Sequence, residues 1–257
     1  RVAKRAAADG ALVWQTDLAN LSGANALALD PSGAVLAAGD FAGPTAFDVV
    51  ELDPSDGHVV WQAYSGLGGL MAGPISISLE PATGDAFVGG CGGSYAYNCS
   101  AKKISRLRNS DGTRLWTADL TGVAESLVAV LATSAGNVVG VSNDQGGPRV
   151  VELDGTTAAV LWSQTVTGLA LFFEGLHAAA AMAPGGDVVL EGTAAGLDLQ
   201  VVKLSGASGA EQWRRSFVPT DSPLSIFSGN PLALYPFGAV ATDASGDVVA
   251  VGQHARG

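Results

Sequence analysis

The residues best suited to chemistry in this chain stand outside any familiar catalytic motif. Glu174 and His177 are near enough in sequence to share a proton, although a loop pair that satisfies its own hydrogen bonds is the alternative. Cys91 and Cys99 enclose seven residues rich in Gly and Ser, a spacing that favours a disulfide over two free thiols. The chain has no nucleophile elbow, no phosphate loop and no His-Glu-x-x-His zinc motif. Motifs therefore indicate no enzyme class.

Several turns carry the pattern Asp-x-x-Gly, which can suggest metal ligation. Residues 30–33 and 243–246 are two examples. An Asp side chain in a β-turn commonly bonds its own backbone, and that role explains the pattern better than a metal ion does. We therefore expect no metal site.

Aromatic side chains accumulate in the same irregular segments as the candidate acid, base and cysteines. Long loops on a rigid scaffold are where binding usually resides, and aromatic residues supply much of the contact area. We therefore predict one ligand-binding loop face for a protein or a carbohydrate, the alternative being that these side chains only pack against their own sheets. The residues predicted for this face are Tyr95, Tyr97, Phe172, Phe173, Glu174, His177, Phe227 and Tyr235.

A repeated phrase supplies the elements that must position these loops. The segment FDVVELDPSDGHVVW (47–61) predicts a strand, a tight turn and a second strand that carries a tryptophan. A Leu stands nine positions before the tryptophan and a Gly four before it, except that the first copy has Arg5 for the Leu and one later copy has Ala158 for the Gly. Self-similarity near fifty residues indicates a repeat architecture. The five repeat tryptophans are Trp14, Trp61, Trp116, Trp162 and Trp213.

The spacing of strand and turn signals predicts four strands per repeat. We expect antiparallel blades at about 24–63, 75–118, 129–164 and 176–215. The chain starts with the last two strands of a repeat and ends with the first two, so residues 1–18 and 239–257 would form one composite blade without free edges. The predicted fold is therefore all-β, a single five-bladed β-propeller over 1–257. A piece of a longer array of seven or eight blades is the alternative.

Small residues on the predicted innermost strands and tryptophan on the outermost strands fit radial blades. A tryptophan there can wedge between neighbouring sheets and bury about 200 Å². The structural role is therefore the expectation for all five tryptophans, with stacking on a cofactor as the minority interpretation.

Composition limits the classes of partner and the compartment. The 257 residues carry a net charge of −11, which argues against binding nucleic acid, since phosphate contacts need a basic face. No apolar run is long enough for a membrane span. The predicted disulfide implies an oxidising compartment, so a secreted, periplasmic or cell-surface location is expected. Plentiful Ala and scarce Met hint at a bacterial source, and nothing in the sequence indicates an oligomeric state.

The phrase Leu-Asp-x-x-x-Gly-x-x-x-Trp resembles the tryptophan-docking repeat of pyrroloquinoline-quinone-type β-propellers. The resemblance covers nearly the whole chain and implies the propeller fold. Members of that class include quinoprotein alcohol dehydrogenases and non-enzymatic scaffolds of bacterial outer-membrane assembly. The dehydrogenases have eight blades, an adjacent Cys pair and a calcium held by Glu, Asn and Asp. This chain has five repeats, no adjacent cysteines and no match to that calcium site, so no cofactor is expected.

The sequence thus predicts a non-enzymatic extracytoplasmic propeller that binds or scaffolds through loops on one face. One alternative is a propeller enzyme acting on carbohydrate, which would need paired carboxylates in the central funnel, where the predicted inner strands instead carry Ala and Ser. The other is a structural subunit of a cell-surface assembly, which would show large apolar patches.

Overall fold

The computed structural model is built of β-strands and turns, with no helix in its described part. That part comprises residues 1–18, 21–41, 48–67, 74–92, 101–122, 127–144, 146–171, 180–194, 199–217 and 238–252. The strands are β1 (Val2–Arg5), β2 (Leu12–Thr16), β3 (Leu21–Leu29), β4 (Val35–Phe41), β5 (Val49–Leu52), β6 (Val59–Ala63), β7 (Pro74–Leu79), β8 (Ala86–Gly92), β9 (Ala101–Leu107), β10 (Arg114–Asp119), β11 (Leu127–Ala132), β12 (Val138–Asp144), β13 (Gly147–Leu153), β14 (Val160–Thr165), β15 (Ala180–Met182), β16 (Val188–Thr193), β17 (Leu199–Leu204), β18 (Glu211–Phe217), β19 (Gly238–Thr242) and β20 (Val248–Gly252).

The strands form four sheets of four strands and two hairpins of two strands. Sheet 1 is β3-β4-β5-β6, sheet 2 is β7-β8-β9-β10, sheet 3 is β11-β12-β13-β14 and sheet 4 is β15-β16-β17-β18. The head hairpin is β1-β2 and the tail hairpin is β19-β20. Neighbouring strands follow one another in sequence, so every sheet is a meander. The predicted all-β class with four-stranded antiparallel sheets is confirmed.

The chain divides into two compact units. The first is Arg1–Gly140 with Glu152–Val160, and it holds the head hairpin and sheets 1 and 2. The second is Val141–Val151 with Leu161–Gly257, and it holds sheet 4 and the tail hairpin. Sheet 3 has strands in both.

The two middle strands of each sheet carry most of the core because they are covered on both faces. All four residues of β5 and all six of β16 are buried, and these strands read as nearly continuous apolar runs. The fourth strands alternate or face solvent, as in β10 and β18. Burial of the middle strands supplies the main driving force for folding through the apolar area removed from water.

The turn between the third and fourth strands has the same geometry in every repeat. In sheet 2 the N–H of Gly112 donates to the carbonyl of Arg108 at 2.9 Å, and Gly112 has a φ of 69°. That left-handed conformation is open to Gly without steric cost, which explains the Gly four positions before the tryptophan. The copy with Ala158 keeps the turn, with a φ of 60°.

The Asp-x-x-Gly segments between first and second strands are β-turns. The N–H of Gly33 donates to the Asp30 carbonyl at 2.9 Å, and the Asp30 side chain accepts from the N–H of Ala34 at 2.8 Å. Asp243 makes the same bonds in the tail hairpin. These carboxylates are therefore occupied by their own backbone.

Blade number and closure are not confirmed. The head hairpin and the tail hairpin are each described as a two-stranded sheet, and the composite blade of residues 1–18 and 239–257 stays a prediction.

Candidate functional site: docked tryptophans and connecting loops

Four repeat tryptophans dock on the third–fourth strand turn of the next repeat. In each case the indole N–H donates to a backbone carbonyl of that turn, and the accepting residue stands seven positions before the next tryptophan. The pairs are Trp14 with Pro54 (3.1 Å), Trp61 with Asn109 (2.8 Å), Trp116 with Gly155 (2.7 Å) and Trp162 with Gly206 (2.9 Å). An indole has one polar atom and a large apolar ring, so this contact buries the ring and satisfies its N–H.

The turn glycine leaves the space in which the indole lies. A Cβ at Gly57, Gly112 or Gly209 would come within 2.5 Å of Cε3 of Trp14, Trp61 or Trp162 respectively. The repeat therefore needs Gly at this position for two reasons, the left-handed backbone and the close approach of the ring. Trp14 and Trp61 are buried, whereas Trp116, Trp162 and Trp213 are half-buried.

Polar side chains hold the accepting turn in place in sheet 2. Asp85 accepts a hydrogen bond from the N–H of Asn109 at 2.9 Å and forms an ion pair with Arg106 at 2.8 Å. Arg106 also donates to the Gly155 carbonyl at 2.8 Å, the acceptor of the Trp116 indole. Both members of the pair are largely buried, so each needs the other to remain charged.

In sheets 3 and 4, other polar pairs occupy the positions of Asp85 and Arg106. Asn137 accepts from the Gly155 N–H and donates to Glu152 at 2.9 Å. Asp187 accepts from the Gly206 N–H at 3.0 Å and pairs with Lys203.

Sheet 1 has no counterpart of the Asp85–Arg106 ion pair. Its turn has Pro54, which has no N–H to satisfy, and Ala34 stands where Asp85 stands in sheet 2. Glu51 then has a buried Oε2 with no hydrogen-bond partner in the described residues, and burial raises its pKa.

Glu191 is a buried carboxyl that was not among the candidate residues from the sequence. It lies on β16 with no exposed surface, and neither carboxylate oxygen has a hydrogen-bond partner among the described residues. Burial raises the pKa of Glu191 to about 7. The available signal was a single charged residue inside the apolar run VVLEGT.

Asp53, Asp56 and His58 form the one carboxylate–histidine cluster found in the described part of the chain. Their potential ligand atoms lie within 4.8 Å of one another. The Asp53 and Asp56 side chains accept hydrogen bonds from the backbone N–H groups of Ser55 and His58. These are turn bonds of one half-buried and two exposed residues, and they explain the cluster without an ion.

The candidate binding residues belong to three connections between strands. Tyr95 and Tyr97 fall between β8 and β9, the second and third strands of sheet 2. Phe172, Phe173, Glu174 and His177 fall between β14 and β15, and Phe227 and Tyr235 fall between β18 and β19. All eight lie outside the described residues, so the binding face and the Glu174–His177 pair stay predictions.

The predicted disulfide also remains a prediction. The backbone of Cys91 belongs to β8, but its side chain and the whole of Cys99 lie outside the described part.

The fold is similar to that of solved propeller proteins at low sequence identity. BamB from Moraxella catarrhalis matches with a TM-score of 0.52 and 18% identity, over 78% of this chain and 51% of that one. Hydrazine synthase from Kuenenia stuttgartiensis matches with a TM-score of 0.55 and 12% identity, over 79% of this chain and 51% of that one. The chain thus spans about half the length of these relatives. These likenesses concern the fold alone.

Among the described residues there is no helix of the length and hydropathy that crossing a membrane requires. A comparison with curated protein sequences gave no match. One family model, described as outer membrane protein assembly factor BamB, matches residues 100–254. This match covers more than half of the chain and includes three of its repeat tryptophans. The docked-tryptophan geometry and this match agree, and the chain belongs to the BamB-like family of quinoprotein-like β-propeller repeats.

Proposed function

We propose that the chain is a non-enzymatic, extracytoplasmic scaffold that binds a partner through its irregular connections. The observation that carries the proposal is the contrast between the junctions and the connections. Docked indoles and their polar turn bonds fix one sheet to the next, while six other aromatic residues fall in the segments between strand ends: Tyr95, Tyr97, Phe172, Phe173, Phe227 and Tyr235. A rigid scaffold with variable aromatic loops is typical of binding proteins. The family description, an assembly factor, supports a protein partner over a carbohydrate.

Site-specific photo-crosslinking tests the binding face. A photoreactive residue at Tyr95, Tyr97 or Phe227 should capture a discrete protein partner when the chain is produced in the periplasm of a bacterial host. The matched control is the same residue at Val60, which is half-exposed on β6 and belongs to none of the three connections. Equal products from the loop positions and from Val60, or none from any of them, would refute the loop face.

Alkylation of the two cysteine thiols before and after reduction tests the predicted oxidising compartment. If Cys91 and Cys99 form the predicted disulfide, both resist alkylation in protein recovered from the periplasm and react after reduction. Two freely alkylated thiols in that protein would remove the argument for an oxidising compartment.

The enzyme alternative is tested by turnover. Release of reducing sugar from polysaccharides by the wild type, and its loss in His177→Ala or Glu174→Gln, would replace the scaffold with a carbohydrate-active propeller. The structural-subunit alternative predicts large apolar patches, and the exposed side chains of Leu27, Leu29, Val249 and Val251 favour it.

The ring of five blades, with residues 1–18 and 239–257 in one composite blade, is the intramolecular way to complete the two hairpins. It remains a proposal: if the ring closes, Val251→Glu should lower the urea midpoint of the chain, whereas Val60→Glu on β6 should not.

A further inference from the structure

A charged residue stands directly before the repeat leucine on the third strand of every four-stranded sheet. These residues are Glu51, Arg106, Glu152 and Lys203 in sheets 1 to 4. Arg106 and Lys203 form ion pairs, and Glu152 accepts a hydrogen bond from an Asn amide. Sheet 1 has Ala34 at the partner position, so Glu51 lacks the kind of partner that the other three have.

Arg106 shows what a positive charge at this position does. Its guanidinium donates to the carbonyl of Gly155, the same carbonyl that accepts the Trp116 indole N–H. It also acts on Glu80, which follows the last residue of β7. Burial would raise the pKa of Glu80, but hydrogen bonds from Thr83 and the charge of Arg106 hold it low. The cation thus serves both the docking carbonyl and a carboxylate of the first–second strand turn.

Glu51 brings a negative charge to the corresponding place in sheet 1. It is paired with Trp61 across β5 and β6, and the Trp61 indole N–H donates to the Asn109 carbonyl at 2.8 Å. Asp30 follows the last residue of β3, as Glu80 follows that of β7. Burial raises the pKa of Glu51, and the nearby charge of Asp30 raises it as well, against the effect of the Trp61 N–H. Acceptors therefore meet acceptors where sheet 2 has a cation.

Two oxygen atoms at this place are buried without a hydrogen-bond partner among the described residues. They are Oε2 of Glu51 and Oδ1 of Asn109, and Glu51 as a whole is 9% exposed. Asp30 uses Oδ1 for its own turn, while its Oδ2 accepts from Nδ2 of Asn109 at 3.5 Å. An amide nitrogen suits that carboxylate, so the amide oxygen is the atom turned to the buried side. Buried acceptors need a positive or donating group to satisfy them.

Glu191 shows that burial of a carboxyl does not by itself create this arrangement. Both of its oxygens lack a hydrogen-bond partner among the described residues, as Oε2 of Glu51 does. Burial is the cause of its raised pKa, without the contribution of a second carboxylate that Glu51 receives from Asp30. The combination of two carboxyls and an unpartnered amide oxygen therefore distinguishes the place beside Trp61. All of its residues belong to the first compact unit.

We propose that Glu51 and Asn109 bind a calcium ion at the docking turn of Trp61, with Asp30 supplying the second negative charge. The side chains offer only oxygen atoms, which are the ligands of hard cations, whereas zinc and copper favour sites with nitrogen or sulfur. Calcium accepts irregular geometry and completes its shell with water, while magnesium demands a near-ideal octahedron. The ion does for this turn what the Arg106 side chain does for the next one.

Calcium-dependent unfolding of the purified full chain tests the proposal. The urea midpoint of the wild type should be higher in about 5 mM CaCl₂ than in EDTA, because an ion that binds the folded chain alone stabilises it. The measurement belongs at about pH 8, since binding requires the carboxyl to give up its proton. Glu51→Gln keeps the shape but loses the charge and a ligand oxygen. It should remove the calcium shift, because binding weakens by on the order of tenfold or more.

Two matched variants make the test specific to this place. Glu191→Gln removes the other buried carboxyl with unpartnered oxygens, and it should respond to calcium like the wild type. Asp56→Asn alters the cluster of Asp53, Asp56 and His58, and it should also keep the wild-type shift. Titration calorimetry with CaCl₂ should show binding in both of these variants and a loss of binding in Glu51→Gln.

Three results would overturn the calcium site. Equal wild-type midpoints in calcium and in EDTA would show that a proton, rather than a metal ion, keeps Glu51 stable. A shift that survives in Glu51→Gln but disappears in Asp56→Asn would assign the ion to the other cluster. A shift of the same size in NaCl of matched ionic strength would assign it to screening of the net charge of −11. None of these results affects the crosslinking test of the loop face.

Discussion

The junction where Trp61 of sheet 1 docks on sheet 2 and the repeat positions at Trp213 and Gly10 have the same sequence pattern, yet they differ in what surrounds them. Trp61 is 8% exposed and hydrogen-bonded, while Trp213 is half-buried with no bond to a turn in the described residues. Gly112 is buried beneath an indole, while Gly10 is exposed. The difference shows that a repeat sequence specifies half of each contact, and that the neighbouring repeat must supply the other half.

Removing the tryptophan should give the largest difference between these regions. Trp61→Ala should lower the free energy of unfolding by about 3–5 kcal/mol, because it empties a buried site and leaves the Asn109 carbonyl without its donor. Trp213→Ala should lower it by about 1 kcal/mol or less. Urea denaturation followed by circular dichroism measures both. Equal losses would mean that Trp213 is docked in the single chain.

Glu191 tests the comparison at a position that is apolar in the other two regions. It corresponds to Ala38 on β4 of sheet 1 and to Val251 on β20 of the tail hairpin. Its folded pKa of about 7 lies above the usual value of 4.5, so the neutral carboxyl is favoured in the fold. The resulting stability is fully present below about pH 4.5 and is lost as the pH rises through about 7, by about 3 kcal/mol in total.

Glu191→Gln should remove this pH dependence and be more stable than wild type at pH 8.5. Urea midpoints measured between pH 5 and pH 8.5 in both proteins check this, since steps of about one pH unit are enough to resolve the titration. Glu191→Gln should leave the contribution of Glu51 in place, because that carboxyl is a separate group on β5. An unchanged slope in the variant would assign the pH dependence to another residue.

Adding a methyl group at the turn separates backbone strain from contact with the indole. Gly112 and Gly10 have φ values of 69° and 73°, so alanine should be strained by about 1 kcal/mol at either turn. Gly112→Ala also drives Cβ to 2.5 Å from Trp61 and should cost about 1–3 kcal/mol more. The difference in unfolding free energy between the two variants measures the contact. No difference would show that the Trp61 ring moves aside without cost.

The sequence was sufficient for the fold class because its signals are local. Period-two strands, Asp-x-x-Gly turns and the Leu, Gly and Trp spacing are each properties of a short segment, and they predicted all-β four-stranded sheets. One paired difference was also visible in the sequence: sheet 1 has Ala34 and Pro54 at the positions where sheet 2 has Asp85 and Asn109. The role of this change is clear only from the structure: Asp85 accepts the N–H of Asn109, whereas Pro54 has no N–H to satisfy.

Other features could not be predicted because their partners are remote in sequence. The docking acceptor of Trp61 is a backbone carbonyl 48 residues away, and backbone atoms leave no mark on residue type. Burial of Glu191 depends on how neighbouring strands cover β16. The composite blade was an inference about how the chain's ends meet, which no local pattern encodes.

The smallest expected effect concerns the one docking turn that has alanine in place of glycine. Ala158 has a φ of 60°, and its indole partner Trp116 is half-buried, whereas Trp61 above Gly112 is buried. Ala158→Gly should relieve the left-handed strain of about 1–2 kcal/mol, offset by the greater freedom of Gly in the unfolded chain. The net result should be a gain of about 0.5–1 kcal/mol in urea denaturation and a blue shift of Trp116 fluorescence, if the ring settles closer to the turn. Thr157→Gly is the matched control, since it adds the same freedom to the unfolded chain one position away and should destabilise. A loss of stability in Ala158→Gly would show that the Ala158 side chain contributes to docking, and that a Gly turn is only one of two ways to receive an indole.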